Sequence, residues 1–307
     1  LTSKTLISVV GPTAIGKTKL AISLAQHYNT EIISADSRQF FKEMCIGTAV
    51  PNETELAAAK HHFIQHKSVT DTYSVGDFEK DALQLLHRLF KHHEVIIMVG
   101  GSGLYVDAVT KGLNEFPKVD PQIREQLNQE LQLQGLGQLQ KKLQNLDEAY
   151  YKTVDLNNPH RLIRALEICI GTGKPYSSFL GKPKKERNFT TLTIGLQAER
   201  EQVYNNINHR VDLMMSEGLL EEVSSLLPYK DLNALQTVGY KELFTYLVGD
   251  WDLDAAIFEI KKNTRRFAKR QLTWFKRNKD TIWLATHSSL EQKIENIMLA
   301  VQKLKCG

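Results

Sequence analysis

One segment, Gly11-Pro-Thr-Ala-Ile-Gly-Lys-Thr18, constrains this chain more than any other. It fits G-x-x-x-x-G-K-[ST] and lies between an apolar, strand-like stretch at Leu6–Val10 and a helical pattern from Lys17 to His27. The glycines let successive backbone N–H groups curl toward an anion, and the helix N-terminus behind them adds partial positive charge. Lys17 is placed to reach the outer phosphates and Thr18 to hold Mg²⁺. The motif therefore points to a bound phosphate or diphosphate and leaves the reaction open.

Short apolar runs recur at Glu31–Ala35 and Val95–Val99, with a helix from about Gly76 to His92 between them. Such runs, separated by helices and glycine turns, read as strands of a parallel sheet with helices on its faces. Thr190–Leu196 and Thr281–Leu284 extend the pattern late in the chain. The predicted fold class is α/β, a P-loop NTPase-like parallel sheet flanked by helices, with a mostly helical insertion domain. The insertion is placed at 112–188, leaving 1–111 with 189–307 as the core. Within it glutamine recurs at 122, 126, 129, 132, 134, 138, 140 and 144 among leucines at helical spacing. Pro117, Pro121, Pro159, Pro175 and Pro183 punctuate the stretch. A length of 307 residues is enough for both parts.

The surroundings of the loop narrow its chemistry. P-loop nucleotidases usually have a second apolar strand ending in a magnesium-binding Asp, yet Val95–Val99 runs into Gly100-Gly101-Ser102-Gly103. The guanine motif N-K-x-D is absent, because Asp280 follows Asn278-Lys279 directly. Instead, the strand at 31–35 delivers Asp36-Ser37-Arg38-Gln39 at the carboxyl edge of the sheet, where open parallel sheets bind ligands. A carboxylate there suits a base, a metal ligand or a helix cap. On a helix predicted from Glu199 to Glu217, Val203, Ile207 and Met214 form an apolar stripe with Arg210 in its middle. Arginine on a core-facing stripe is costly unless it meets an anion or snorkels to solvent.

Net charge is only +4 and implies no partner by itself. Its distribution is more informative: nine basic residues and no acidic one lie between Lys261 and Lys279. At 100° per residue they fall within about 180° of a helical wheel, with Ile260, Phe267, Trp274 and Phe275 opposite. One wholly basic face is what a polyanion site looks like. No apolar run reaches the ~20 residues of a bilayer span. Cys45, Cys169 and Cys306 form no C-x-x-C pair, so a disulfide framework or structural zinc is not expected and a reducing cytoplasm is. His61-His62 and His92-His93 have no carboxylate or cysteine at ligand spacing in the sequence.

Several segments, in order, then matter jointly. They are Gly11–Thr18, Ser34-Ala-Asp-Ser-Arg-Gln39, Ile46-Gly-Thr-Ala49, Gly100-Gly-Ser-Gly-Leu-Tyr105, Asn158-Pro-His-Arg-Leu-Ile-Arg-Ala-Leu-Glu167, Val238-Gly-Tyr-Lys-Glu242 and Thr264-Arg-Arg-Phe-Ala-Lys-Arg-Gln-Leu-Thr-Trp-Phe275. Together they resemble the tRNA dimethylallyltransferase (tRNA isopentenyltransferase) family. That resemblance implies transfer of a dimethylallyl group from dimethylallyl diphosphate to N6 of the adenosine 3′-adjacent to the anticodon. It implies Asp36 as general base, with Lys17, Thr18 and Arg210 as further catalytic groups and Mg²⁺ on Thr18. Gly11, Pro12, Thr13, Ala14, Ile15, Gly16, Lys17, Thr18 and Arg210 are then expected around the diphosphate. Asp36, Ser37, Arg38, Gln39, Ser102, Arg124, His160, Arg161, Arg164, Tyr240, Lys241, Lys269 and Arg270 are expected to contact tRNA. Gly100–Gly103 is expected to bring backbone close to the ligand, and the insertion to contact the anticodon stem-loop. A monomer with no membrane partner completes the expectation. The chain departs from the family's usual residues at Ile15, Cys45, Val50 and Ser102.

Three other readings fit part of the pattern: an adenylate isopentenyltransferase, a small-molecule P-loop kinase and a non-catalytic RNA-binding module. The insertion and basic helix argue against the first, and the missing Asp after Val99 against the second. An intact phosphate loop beside Asp36 argues against the third.

Overall fold

Strand, loop and helix follow in the order the glycine loop demands. β1 (Thr5–Val10) leads through the loop into α1 (Lys17–His27). Then come β2 (Ile32–Ser34), α2 (Glu53–Ala58), β3 (His61–His62), α3 (Val75–Leu89), β4 (Val95–Gly100) and α4 (Gly103–Lys111). Four helices follow: α5 (Pro121–Gln134), α6 (Leu136–Leu146), α7 (Glu148–Tyr151) and α8 (Pro159–Thr172). The sheet resumes with β5 (Thr190–Gln197), α9 (Arg200–Ser216), α10 (Leu219–Ser225), α11 (Tyr240–Leu247), α12 (Leu253–Phe275), β6 (Ile282–Ala285) and α13 (Leu290–Cys306). This computed structural model describes residues 4–181 and 186–306; Pro183 and the Cys306 side chain lie outside the described residues. No helix among them is long and apolar enough to cross a membrane.

The strands pair in parallel in the order β3-β2-β4-β1-β5-β6. Every residue of β1 and β4 is buried, as expected where helices cover both faces of a sheet. Alternation divides them: Leu6, Val10, Ile96 and Met98 pack into one layer, and Ile7, Val9, Ile97 and Val99 into the other. The register places Val10 opposite Gly100 and Ser34 opposite Val99. The loops after β1, β2 and β4 thus leave the sheet on one edge.

One compact unit runs to Lys111 and resumes at Glu186; the other, beginning at Gly112, holds α5–α8. The second unit has its own core of Leu127, Leu139, Leu143, Leu162, Ile163 and Leu166. Two of its helices start on side-chain caps, Asp120 for α5 and Asn158 for α8, each with proline next. Six of its eight recurring glutamines are exposed and two, Gln138 and Gln140, half-buried.

Several sequence expectations shift. α3 begins on a Ser74–Asp77 capping box and stops at Leu89, before His92. β3, two residues long, is too short for any periodicity to reveal; His62 of β3 pairs with Glu31 at 2.5 Å. On α9 the buried stripe is Val203, Ile207 and Val211, with Met214 half-buried. Phe267, expected in the core, is 38% exposed on α12. That helix ends at Phe275, so Lys276, Arg277 and Lys279 do not continue its basic face.

Gly100 meets the backbone of Ala35, where an added methyl group would lie 2.4 Å from the carbonyl oxygen. Gly100→Ala is therefore expected to destabilise the protein by about 1–3 kcal/mol, the usual cost of overpacking. A lower urea midpoint with unchanged slope would show this; a wild-type midpoint would contradict it.

Candidate active site at the carboxyl edge of the sheet

The phosphate loop is held in shape from outside as well as by its own glycines. Thr13 N–H donates to Gln271 Oε1 (2.9 Å), and Asn206 Nδ2 donates to the Ala14 carbonyl (3.1 Å). Ala14 itself has φ +60°, a left-handed conformation that such bracing helps maintain. Gly16 precedes α1 without a side-chain cap, and no acidic residue occupies the first turn. The leading N–H groups of α1 are thus available to an anion. Thr18 sits in that turn, and Lys17 Nζ donates to the Pro12 carbonyl (2.7 Å).

β2 delivers Asp36 beside this loop. Its carboxylate accepts from the Arg38 backbone N–H (3.2 Å) and its carbonyl from Gln39 N–H (3.1 Å), closing a tight turn. Ser37 meets Ser102 twice, its N–H and its hydroxyl both 3.1 Å from Ser102 Oγ. The turns after β2 and β4 are thereby joined.

Charge is arranged against desolvation. Burial lowers the Lys17 pKa to about 8; Asp36 opposes that shift and Arg210 adds to it. Burial raises the Asp36 carboxyl, against the Arg38 N–H, Lys17, Arg38 and Gln39. Burial also lowers Arg210, against the attraction of Glu55 and Asp36. The structure thus brings Lys17, Asp36 and Arg210 within electrostatic reach of one another, with Arg210 on the half-buried side of α9. With Arg38 and Glu55 also in reach, three cations and two carboxylates, partly stripped of water, form a site that favours an anion.

Other predicted residues have different occupations. Tyr240, expected on RNA, is fully buried and donates its hydroxyl to Glu222 (2.6 Å). It belongs to the core, while Lys241 beside it is exposed. Arg38 Nη1 donates to the carbonyls of Asn233 (2.9 Å) and Ala234 (2.8 Å), tying two loops together. Gln39 spends its amide on the Thr48 and Ala49 carbonyls. In the second unit, Arg124 and Arg164 both pair with Glu167, at 2.9 and 3.3 Å, whereas His160 and Arg161 are exposed. On α12, Lys261 pairs with Asp212 and Lys262 with Glu259 of the same helix, so the basic face is partly neutralised. Lys269 and Arg270 remain exposed. The glycines at 101 and 103 make room for Gln271 and Trp274: added methyl groups would lie 2.3 and 2.2 Å from those side chains. Cys45 contributes a backbone N–H to Glu222 (2.8 Å).

Gln271, Asn206 and Glu222 were not singled out from the sequence. Gln271 left a signal: it falls between Ile260 and Phe275 on the wheel, and a carboxamide on a buried stripe needs dedicated partners. Asn206 and Glu222 sit among many polar residues on their helices and left none.

Lys17 makes the site pH-sensitive. With its pKa at about 8, the ammonium is present below that pH and lost as pH rises through it. Inorganic diphosphate should therefore bind more weakly above pH 8, relative to Lys17→Arg, which stays charged throughout. Calorimetric titrations of both proteins from about pH 7 to about pH 9 check this, and parallel profiles would contradict it.

Comparison with known proteins gives the family. The family described as IPP transferase matches residues 39–278. Among curated relatives named tRNA dimethylallyltransferase, that of Christiangramia forsetii is 66% identical over 281 residues, 92% of this chain and 93% of the relative. That of Flavobacterium johnsoniae is 58% identical over 286 residues, 91% of this chain and 93% of the relative. The solved tRNA isopentenylpyrophosphate transferase of Bacillus halodurans is similar with a TM-score of 0.73 at 36% identity, covering 99% of this chain and 100% of that one. A eukaryotic dimethylallyltransferase acting on tRNA gives a TM-score of 0.77 at 26% identity, covering 94% of this chain and 75% of that one. On the phosphate loop, the Asp36 edge and these matches, the chain belongs to the IPP transferase family.

Proposed function

We infer that this protein transfers a dimethylallyl group from dimethylallyl diphosphate to N6 of the adenosine 3′-adjacent to the anticodon of tRNA. The observation that carries this reading is Asp36, desolvated and within electrostatic reach of Lys17 and Arg210 at the mouth of the phosphate loop. The names of its relatives favour tRNA as acceptor over a free nucleotide.

The exocyclic amine of adenine is a poor nucleophile because its lone pair is delocalised into the ring. In the proposed reaction the bond from the allylic carbon to the diphosphate oxygen breaks, the carbon–N6 bond forms, and one N6 proton passes to Asp36. Burial makes Asp36 more basic than an exposed carboxylate, which suits a general base. Lys17, Arg210 and the loop N–H groups receive the charge that builds on the departing diphosphate. The adenine would be turned out of its single-stranded loop to reach the site, where unstacking is cheap.

Mg²⁺ fits the residues present. Magnesium binds through one or two protein oxygens plus substrate phosphates rather than an all-protein cage. Thr18 offers a hydroxyl in the first turn of α1, with Asp36 nearby, and the described residues hold no cluster of three or more ligating side chains. Bound there with the donor, the ion would neutralise diphosphate charge.

For the acceptor we propose the exposed side of α12. Lys269, Arg270, Thr273, Trp274 and Arg277 line an open cleft of about 260 Å³. Arg277 stacks 3.7 Å from the Trp274 ring centroid, and Arg270 lies 5.7 Å from that of Phe267. Cations beside aromatic rings suit phosphates and unstacked bases. Arg161 and His160 of the second unit are proposed as further phosphate contacts, one reason to assign that unit to the acceptor.

Incubation with dimethylallyl diphosphate or ATP, against tRNA or AMP, tests the assignment by mass. A prenyl-sized gain on tRNA alone is expected; a gain on AMP, or a phosphoryl transfer from ATP, would refute it. Asp36→Asn should slow single-turnover transfer about 10²-fold or more, the size of a lost general base. In the wild type the rate should fall as pH drops through the raised Asp36 pKa, since protonation removes the base. Near-normal transfer in Asp36→Asn would exclude the role. Lys269→Ala with Arg270→Ala should weaken all tRNAs alike and reduce the log–log salt slope by about one unit per lost phosphate contact. An unchanged slope would remove α12 from the RNA surface.

A further inference from the structure

Glu222, on α10, belongs to none of the segments that carry the family resemblance, yet its carboxylate accepts four hydrogen bonds. The backbone N–H groups of Cys45 (2.8 Å) and Ile46 (2.7 Å) donate to Oε2. That of Gly47 (3.0 Å) and the Tyr240 hydroxyl (2.6 Å) donate to Oε1. Tyr240 is fully buried, and its ring lies so close to Gly47 that an added methyl group would be 2.6 Å away. Loop 45–49 is therefore pinned along one side by a charge and packed against an aromatic ring. Hydrogen bonds to an ionised acceptor are roughly twice as strong as neutral ones.

The other side of the loop leads to the candidate base. Gln39 Nε2 donates to the carbonyls of Thr48 (3.2 Å) and Ala49 (2.9 Å). Ser34 Oγ donates to Gln39 Oε1 (3.2 Å) and accepts from the Asp36 backbone N–H (3.4 Å). All donors in this series point the same way, from Asp36 through Ser34 and Gln39 to the loop and on to Glu222. An ionised carboxylate can only accept, so the series ends there, and the Thr48 and Ala49 carbonyls, which also only accept, fix its direction at Gln39. With that polarity the Gln39 amide has one orientation that satisfies both neighbours. The phosphate loop is braced separately, by Gln271 and Asn206.

We propose that Glu222, assisted by Tyr240, is a positioning residue for Asp36, acting through loop 45–49, Gln39 and Ser34, and serving the acceptor step rather than donor binding. The proposal rests on the function inferred above. In Glu222→Gln an amide N–H₂ replaces one acceptor and faces backbone N–H groups, which releases the loop. Single-turnover transfer at saturating donor and tRNA should slow about 10-fold or more, as small misplacements at a reacting centre do. Donor KM should stay near the wild-type value. Amide exchange at Cys45, Ile46 and Gly47 should accelerate, and the Asp36 carboxyl titration, followed by NMR, should move toward its ordinary range. Gln39→Leu interrupts the same series, so the double variant should be no slower than the slower single variant.

Tyr240→Phe removes one of the four bonds and should act in the same direction more weakly, which covers a Glu222→Gln protein that fails to fold. A wild-type rate in Glu222→Gln, an unmoved Asp36 titration despite a freed loop, or additive losses in the double variant would overturn the proposal. A wild-type protein that prenylates no tRNA would refute the inferred function instead, while the exchange and titration measurements would still read the clamp.

Discussion

A single carboxamide ties the site together. Gln271 accepts from the Thr13 N–H of the phosphate loop and donates to the Gly101 carbonyl after β4, both at 2.9 Å, while only 6% exposed. A buried amide left unpaired would cost about 1–3 kcal/mol for each lost partner. Paired on both ends, it fixes the spacing between the two loops and ties both to α12. Trp274 extends the tie three residues on, donating its indole N–H to Asp107 of α4 (2.9 Å). The turn after β2 then joins the set through the Ser37–Ser102 contacts. Parallel strands supply the common edge, and these side chains turn three flexible loops into one surface.

That rigidity is what the electrostatics require. Lys17, Asp36 and Arg210 each resist ionisation because burial removes water, and each is partly compensated by an opposite charge nearby. With Arg38 and Glu55 counted, three cations face two carboxylates, which leaves the cluster short of negative charge. On the inferred function an arriving diphosphate would supply it, and charges already fixed in place contribute most to catalysis. An exposed trio at the same spacing would be screened by water and salt.

The loop from Gly11 to Thr18, the strands at 6–10, 95–99 and 190–196, and the helix over 17–27 were legible because each follows from a local rule: apolar runs, glycine spacing, helical periodicity. The position of Asp36 was legible because it follows a strand beside that loop. Arg210 was legible as a cation on an apolar stripe, although the stripe's third member is Val211 rather than Met214. The two-residue β3 was not, since it owes its existence to pairing with β2 and to the Glu31–His62 contact. Tyr240 was expected on tRNA through the resemblance alone, and nothing local announces its burial or Glu222 as its partner. The Arg124 pairing with Glu167 depends on how α5 meets α8, which spacing along one helix does not encode, whereas Arg164 meets Glu167 three residues on within α8 itself. Phe267 was misplaced because the wheel sets it between buried Ala256 and Ile260, yet it stands 38% exposed.

On the inferred function, α12 answers a geometric problem that two-substrate transfer poses. Donor and acceptor must meet within a few tenths of an ångström although one is held by a phosphate loop and the other by a large RNA. Lys269 and Arg270 are exposed, and Gln271, the next residue, is buried in the phosphate loop's hydrogen bonds. At 100° per residue, Lys269 and Gln271 point about 160° apart in the same helical turn. RNA phosphates held by the outer side and donor phosphates held through the inner side are then referenced to one rigid rod with a rise of about 1.5 Å per residue. Sites built on helices hold geometry better than sites on loops. Any slip of the RNA along this face would move the adenine relative to Asp36 without moving the donor, so the cations' contribution lies in register as well as in attraction.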